Sequence, residues 1–302
     1  MLHKSVLLNE TIFAINPQSG GIYVDMTLGA GGHTRKLLEK SAPDGIVIAF
    51  DKDEKAISYA NETLKREFKD RLILVHDNYS NCLARVRELG FDEADGVVMD
   101  LGVSLDQLKG QDRGFSFLTD GPLDMRMDKR KPLTAEKIVN GWEENELANI
   151  LRIYGEERFA GRIARNIVRK RPIRSTRELA GIVESCIPRH LYKKTHPATR
   201  VFQALRIVVN DELESLQKGL TDAVELLKPK GTICVISFHS LEDRVVKNIF
   251  REFKQKKELR LINKKPILPS KVEVMSNRRA RSAKLRCAVK DDMLNLREGG
   301  DG

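Results

Sequence analysis

Ile22-Tyr23-Val24 is a short apolar run that ends in Asp25. The chain then reads Met26-Thr27-Leu28-Gly29-Ala30-Gly31-Gly32-His33 before a helical pattern begins at Thr34. A buried strand, a glycine-rich turn and a helix, in that order, restrict the fold more than any other stretch. α/β proteins hold nucleoside-bearing ligands on such a unit, because glycines let the backbone come close to the ligand. A second apolar run closes at Asp51, 22 residues after Gly29. A carboxylate at that strand end is placed to accept hydrogen bonds from ribose hydroxyls.

Four strands are predicted early, at Ile22–Asp25, Ile46–Asp51, Leu72–His76 and residues 96–100. Residues 53–69 give the clearest helix between them, with Ala56, Ile57, Ala60, Leu64 and Phe68 at helical spacing. A shorter helix is expected over 81–89. This alternation implies a mostly parallel sheet with helices on both faces.

The alternation then stops. The next strand pattern, 232–237, follows the turn Lys228-Pro229-Lys230-Gly231, about 130 residues after Asp100. A crossover needs only a helix and two short loops. The intervening residues are strongly helical. Residues 143–154, 156–171 and Thr176–Cys186 are amphipathic, with Pro172 and Pro188 as punctuation, and 198–227 reads as one long helix or two abutting ones. An all-helical domain at 105–205, inserted into an α/β domain made of 1–104 and 206–302, accounts for the gap. After it the pattern predicts a helix at 241–253, a basic linker with Pro266 and Pro269, and a last strand at 284–289.

The chain carries a net charge of +10, and its basic excess is concentrated. Residues 158–206 hold 13 basic and 2 acidic side chains, a net of +11. Arg158, Arg162, Arg165 and Arg169 recur at three- and four-residue spacing, so they share one helix face. A solvated surface is the plain alternative, but clustering this one-sided favours a polyanion, nucleic acid first. A second cluster, Asn277-Arg278-Arg279-Ala280-Arg281-Ser282, precedes the last strand. Planar guanidinium forks suit phosphate. Arg162, Arg165, Arg200, Arg206, Arg279 and Arg281 are the candidate nucleic-acid contacts. Cys82, Cys186, Cys234 and Cys287 are far apart and form no CxxC pair, so neither a zinc site nor a disulfide framework is expected and no metal is assigned. No stretch approaches the roughly 20 apolar residues of a membrane span. No secretory leader is evident, and a cytoplasmic location is expected.

A dinucleotide-binding turn would read Gly-x-Gly-x-x-Gly, whereas Gly29-Ala30-Gly31-Gly32-His33-Thr34 has no glycine at the sixth position. That departure points away from NAD and towards S-adenosylmethionine. Asp51 would then meet the ribose, and Asp77-Asn78-Tyr79, after the third strand, the ribose or adenine. Tyr79 reads equally well as an amphipathic core aromatic. Asp100-Leu101-Gly102-Val103-Ser104 follows the fourth strand, at the sheet edge where ligands of this architecture bind.

Several further motifs make the pattern specific. They include His3-Lys4-Ser5-Val6-Leu7-Leu8-Asn9-Glu10, Arg113-Gly114-Phe115-Ser116-Phe117 and Asp120-Gly121-Pro122-Leu123-Asp124-Met125-Arg126-Met127. Others are Tyr154-Gly155-Glu156-Glu157-Arg158, His196-Pro197-Ala198-Thr199-Arg200 and Ser237-Phe238-His239-Ser240-Leu241-Glu242-Asp243-Arg244. With the Asp25–His33 loop and Arg279-Ala280-Arg281-Ser282, the chain closely resembles, nearly end to end, the bacterial 16S ribosomal RNA (cytosine-N4)-methyltransferases that modify a cytidine of the decoding centre. The resemblance implies a Rossmann-like class I methyltransferase sheet with an inserted helical domain. It implies S-adenosylmethionine contacts from Gly31, Gly32, His33, Asp51, Tyr79, Asp100 and Gln107, and 16S rRNA or the small ribosomal subunit as partner. It leaves the oligomeric state open between monomer and homodimer. Two positions depart from the family pattern. Ser104-Leu105-Asp106-Gln107 stands where Ser-Ser-Pro-Gln is usual, and Arg278 where proline is usual.

In such an enzyme the weak partner is the nucleophile, because the exocyclic nitrogen of cytosine shares its lone pair with the ring. An acceptor near Asp100 could localise that pair, or Asp100 could serve the cofactor alone. Ser237 and His239, beyond the fifth strand, are candidates to orient the base, with a structural turn as the alternative. A DNA amino-methyltransferase would share the cofactor half, but would normally carry Asn/Asp/Ser-Pro-Pro-aromatic in place of Asp100-Leu101-Gly102-Val103. A non-enzymatic RNA-binding assembly factor is the third reading, and the intact Gly31, Gly32 and Asp51 argue against it.

Overall fold

Strands that are apolar at nearly every position must be covered on both faces. In the strand Ile46–Asp51 the four central residues are buried, and alternate side chains join different clusters. Ile48 and Phe50 pack with Val24, Val97, Leu220 and Phe250, whereas Val47 and Ala49 pack with Leu37, Leu38, Val98 and Ile236. One layer of helices therefore covers each face. Leu8–Ile15 and Gly32–Lys40 lie on one side, and Cys82–Glu88, Glu212–Leu226 and Ser240–Gln255 on the other.

The computed structural model describes residues 4–103, 113–192 and 196–292. Among them are seven strands: β1 (Ile22–Asp25), β2 (Ile46–Asp51), β3 (Leu72–His76), β4 (Ala94–Asp100), β5 (Leu227–Ser237), β6 (Leu259–Leu261) and β7 (Lys284–Lys290). Their order in the sheet is β3-β2-β1-β4-β5-β7-β6. β1 to β5 pair in parallel, β7 is antiparallel to β5, and β6 is antiparallel to β7. The chain steps outward from β1 to β3, then restarts at β4 on the other side of β1. Such a reversal opens a crevice beyond the carboxyl ends of the two central strands, where open α/β sheets bind ligands. Asp25 and Asp100 close those two strands.

The chain divides into two compact units, one formed by Met1–Gly102 with Leu213–Gly302 and the other by Val103–Glu212. The second unit has its own core. Ile138, Leu147, Leu151, Ile163, Ile167, Leu179, Val183, Val201 and Leu205 meet there. They come from the helices Ala135–Gly141, Glu144–Ile153, Ala160–Arg169, Thr176–Cys186 and Thr199–Asn210. Thr134 and Ser175 cap two of these helices, accepting from the backbone N–H groups of Lys137 and Glu178.

Several elements differ from the sequence expectation, each for a local reason. The helix expected over 53–69 breaks into Glu54–Glu62 and Leu64–Phe68. At the break the Thr63 hydroxyl donates to the Tyr59 carbonyl at 2.7 Å, a back-bond that bends helices. The helix expected from 156 starts at Ala160, because Glu156 is left-handed (φ 48°) and the Glu157 carboxylate accepts from the Phe159 N–H. Residues 198–227 form two helices that part at Asp211, also left-handed at φ 50°. The turn Lys228-Pro229-Lys230-Gly231 lies within β5, where the register with β4 shifts between Ala94 and Gly96. Leu8–Ile15, β6 and Lys271–Ser276 have no counterpart in the sequence reading, being one to two turns or three residues long.

Gly31 takes φ 78° at the N-terminus of Gly32–Lys40, and a Cβ there would stand 2.3 Å from Leu64 Cδ1. Gly31→Ala combines a strained backbone with a clash against the core. It is expected to lower the unfolding free energy by about 2 kcal/mol in urea denaturation. An unchanged midpoint would show that the loop does not depend on this conformation.

Candidate active site

Asp25 closes β1 and is buried. Its carboxylate accepts from the Thr34 hydroxyl at 2.7 Å and the Thr27 N–H at 3.1 Å, which ties the start of the glycine loop to the helix after it. Burial raises its carboxyl above the ordinary range. The sequence reading did not count Asp25 as a site residue, although its place at the end of an apolar run was the available signal. Asp51 braces the same loop from β2. Its Oδ2 accepts from the Gly29 N–H at 2.9 Å and its Oδ1 from the Asp53 N–H at 2.8 Å. Burial pushes this carboxyl up to about 6, against the pull of those two N–H groups.

Asp100 stands beside the loop across the β1–β4 pairing. Its backbone N–H donates to Thr27 Oγ1 at 2.6 Å, and its Oδ2 lies 3.7 Å from His33 Nδ1. Among the described residues its buried Oδ1 has no hydrogen-bond partner, nor has His33 Nε2. Burial pushes the Asp100 carboxyl up to about 6, with His33 and Arg279 opposing and Asp25 and Glu242 adding to the rise. Burial also holds His33 below its ordinary value, so its ring is neutral at pH 7.

Tyr79 opens the short 3₁₀ turn Tyr79–Asn81 beyond β3, and its ring lies on Gly219 of the helix Glu212–Leu226. A Cβ on Gly219 would come within 2.7 Å of that ring. Asp77 is held by its own neighbours, accepting from Arg85 Nε, Asn81 Nδ2 and the Asn78 N–H. The structure gives Ser237 and His239 framework contacts at the end of β5. Ser237 is buried, with its hydroxyl 3.5 Å from the Lys284 carbonyl of β7. His239 caps the helix Ser240–Gln255, where its Nδ1 accepts from the Glu242 N–H and Glu242 accepts from the N–H groups of Phe238 and His239. Gln107 lies outside the described residues.

The candidate RNA contacts separate by burial. Arg162, Arg165 and Arg169 are exposed along one face of Ala160–Arg169, opposite Ile163, Ala164 and Ile167, whereas Arg158, expected on the same face, is exposed in the turn before the helix. Arg165 makes one long contact, 3.4 Å to Glu144. Arg200 is exposed and touches the Glu156 carbonyl, with Glu157 3.9 Å away. Arg206 departs from expectation. Its guanidinium forks onto Glu212 with two bonds of 2.8 Å, and both side chains are largely buried. Arg281 is exposed, whereas Arg279 is partly buried over the Phe238 ring.

Asp100 Oδ1 and His33 Nε2, buried and without a partner among the described residues, a turn that needs glycine at Gly31, and a carboxylate at the end of β2 ask for a ligand with a cationic head and a ribose. S-adenosylmethionine has both, and Gly31, Gly32, His33, Asp51 and Asp100 fit it. The doubly wound sheet with antiparallel β7 and this site define a class I S-adenosylmethionine-dependent methyltransferase. Residues 1–291 match the family model described as the MraW methylase family, and the chain belongs to that family. It is 50% identical to the ribosomal RNA small subunit methyltransferase H of Carboxydothermus hydrogenoformans, over 95% of this chain and 97% of the relative. It is 48% identical to the protein of the same name from Geobacter sulfurreducens, over 95% and 98%. Among solved structures, an rRNA methylase from Streptococcus thermophilus aligns with TM-score 0.48 and 11% identity, over 97% of this chain and 100% of that one. No helix among the described residues is long and apolar enough to cross a membrane.

Asp51→Ala is expected to weaken S-adenosylhomocysteine binding about tenfold to a hundredfold in calorimetry, and to leave RNA affinity unchanged. Equal loss of both would contradict a separate cofactor site. Because Asp51 and Asp100 take up protons as pH falls through about 6, parent affinity should be level near neutrality and drop on the acid side. Arg206→Gln leaves Glu212 largely buried without its fork. It should cost about 2 kcal/mol of stability, with RNA affinity of the folded protein unaltered; a stable variant with weak RNA binding would return Arg206 to the phosphate contacts.

Proposed function

We propose that this chain methylates the exocyclic N4 of a cytidine in the 16S rRNA of the small ribosomal subunit, at the decoding centre, in the cytoplasm. The observation that carries the RNA half is the exposed row of Arg162, Arg165 and Arg169 on the outward face of Ala160–Arg169, with Arg158 exposed in the turn before it. Relatives at 48–50% identity carry a small-subunit rRNA methyltransferase name, which supports the same substrate.

S-adenosylmethionine, when bound, supplies a methyl group already activated by the sulfonium. The chain's own residues have to hold the reactants in line and exclude wrong geometries. Gly31, Gly32 and His33 would line the cofactor's side of the turn, Asp51 would accept from the ribose, and Tyr79 would offer a ring edge beyond β3. Asp100 Oδ1 would accept from the cofactor's ammonium, and the family resemblance adds Gln107 as a further contact. Ser237 and His239 hold the β5 exit in place, which positions the base rather than moving a proton. A methylated amine sheds its proton readily to water, so a dedicated strong base is not required. A cytidine of folded RNA must be splayed from its neighbours, and the basic unit holds the flanking backbone while that happens.

The test is tritiated methyl transfer to small-subunit particles from cells lacking the protein, followed by nucleoside analysis. N4-methylcytidine is the expected product, and label on a ring carbon would falsify the chemistry. RNA binding without labelling would favour an assembly factor; labelling of DNA alone would favour a DNA amino-methyltransferase. Arg162→Glu with Arg165→Glu should weaken RNA binding more than tenfold and lower its salt dependence by about two charges, while S-adenosylhomocysteine affinity stays at the parent value.

A further inference from the structure

Residues 264–282 hold six basic side chains and one acid. The acid, Glu273, is turned inward, where it accepts from the Leu7 N–H at 2.8 Å. Lys271, Arg278 and Arg281 are exposed, and among the described residues none of them pairs with an acid. Other surface cations of the same unit do find one, as Arg35 does in Glu67, Arg85 in Asp77 and Lys218 in Asp222. In the same stretch the short helix Lys271–Ser276 packs Val274 against the sheet core and leaves Val272 and Met275 76% and 86% exposed. Those two are three residues apart, so they share one outward face.

This surface stands at the rim of the crevice. Lys284 of β7 pairs with Ser237 of β5, and Ile236 pairs with Asp100, so the turn Arg278–Ser282 enters the sheet at the edge where β4 ends. The helix before it is tied to the start of the described chain by the Leu7 bond, by Lys4 Nζ donating to Ser276 Oγ at 3.1 Å, and by Asn277 Nδ2 donating to the Lys4 carbonyl at 2.9 Å. That segment in turn backs the glycine loop, since a Cβ on Gly32 would collide with Ser5 Oγ. Lys4, also exposed, is thereby held beside the same helix. Cations without counter-charges next to an outward apolar pair match a ligand that alternates anionic groups with flat apolar ones, as single-stranded RNA does. Two apolar side chains on a six-residue helix are too little to seat in a bilayer. We propose that Lys4, Lys271, Arg278 and Arg281 hold phosphates of the RNA strand beside the target nucleotide, with Val272 and Met275 against a neighbouring sugar or base. The methyltransferase unit thus has an RNA surface of its own, besides the arginine row of Ala160–Arg169. The proposal rests on the reading of RNA as the substrate.

Two measurements on the full chain test it, both with small-subunit particles from cells lacking the protein. In the first, Lys271→Gln, Arg278→Gln and Arg281→Gln are combined, and binding is followed across salt concentrations. Affinity is expected to fall more than tenfold, and the log–log salt slope to flatten by about two, from three lost contacts at about 0.7 each. S-adenosylhomocysteine affinity and the urea midpoint should stay at the parent values. An unchanged slope overturns the phosphate contacts. In the second, Met275→Cys carries a benzophenone maleimide, which the chain's own four cysteines, all buried, leave to the new thiol. Irradiation should crosslink it to RNA within a few nucleotides of the methylated cytidine, mapped by primer extension. Crosslinks to distant RNA, or to protein alone, overturn the placement. If the parent neither binds nor labels the RNA of the particles, the reading of RNA as substrate fails and the proposal falls with it. If the parent does both and only the rim variant and the crosslink behave otherwise than expected, the rim surface alone is wrong.

Discussion

The parallel pairing of β1 with β4 is the contact on which the site depends. Tyr23, Val24 and Asp25 lie beside Gly96, Val97 and Val98, and the Met26 N–H continues the ladder to the Val98 carbonyl. One residue further, the Thr27 hydroxyl accepts from the Asp100 N–H. Two loops that begin 75 residues apart in sequence are thereby locked together at their first turn. Asp25 then fixes the glycine loop to its helix, and Asp51 fixes it to β2. Carboxylates at the ends of three adjacent strands thus gather around one loop, Asp25 and Asp51 by accepting from it and Asp100 by standing beside His33. The costs of burying Asp51 and Asp100 are tolerable because the loop's N–H groups and nearby cations offset them in part.

Arginine serves three physical ends in this chain. Where its fork meets a buried carboxylate, as at Arg206 and Glu212, it seals the end of a helix pair. Where it points at backbone carbonyls, as Arg171 does at Val139 and Trp142, it ties segments of the helical unit. Where it stands on the outward side of an amphipathic helix, as Arg162 does, it keeps its charge for something outside the chain. Net charge alone does not separate these cases, since all three contribute equally to the basic window.

The first four strands were legible because each is an apolar run ended by an acid or a turn, and three of them have the predicted bounds, whereas the three residues of β6 are too few to show a pattern. Asp51 and Asp100 were legible for the same reason. The break at Thr63 was not, because a back-bond makes it, and over 198–227, where two abutting helices were one reading, the left-handed turn at Asp211 that parts them was not marked. The pairing of Arg206 with Glu212 was hidden in the same way, since the turn at Asp211 brings Glu212 back onto the helix. Arg279 read as one more phosphate ligand because nothing local shows that Phe238, 41 positions earlier, lies under it.

β4 ends at Asp100 and its partner β5 begins only at Leu227, so synthesis separates the two halves of one sheet by the whole helical unit. That unit has a core of its own, in which Glu144–Ile153, Ala160–Arg169 and Thr176–Cys186 pack in sequence order and Thr199–Asn210 returns to Glu144–Ile153. Until Leu227 has been made, the β4 edge that β5 will occupy is an open row of backbone donors and acceptors. The insertion therefore imposes a vectorial assembly order, in which the helical unit matures first and the nucleoside crevice is sealed last. An early stop or a long pause within the insert strands an aggregation-prone half-sheet, which makes the folding of this chain sensitive to the rhythm of its own translation.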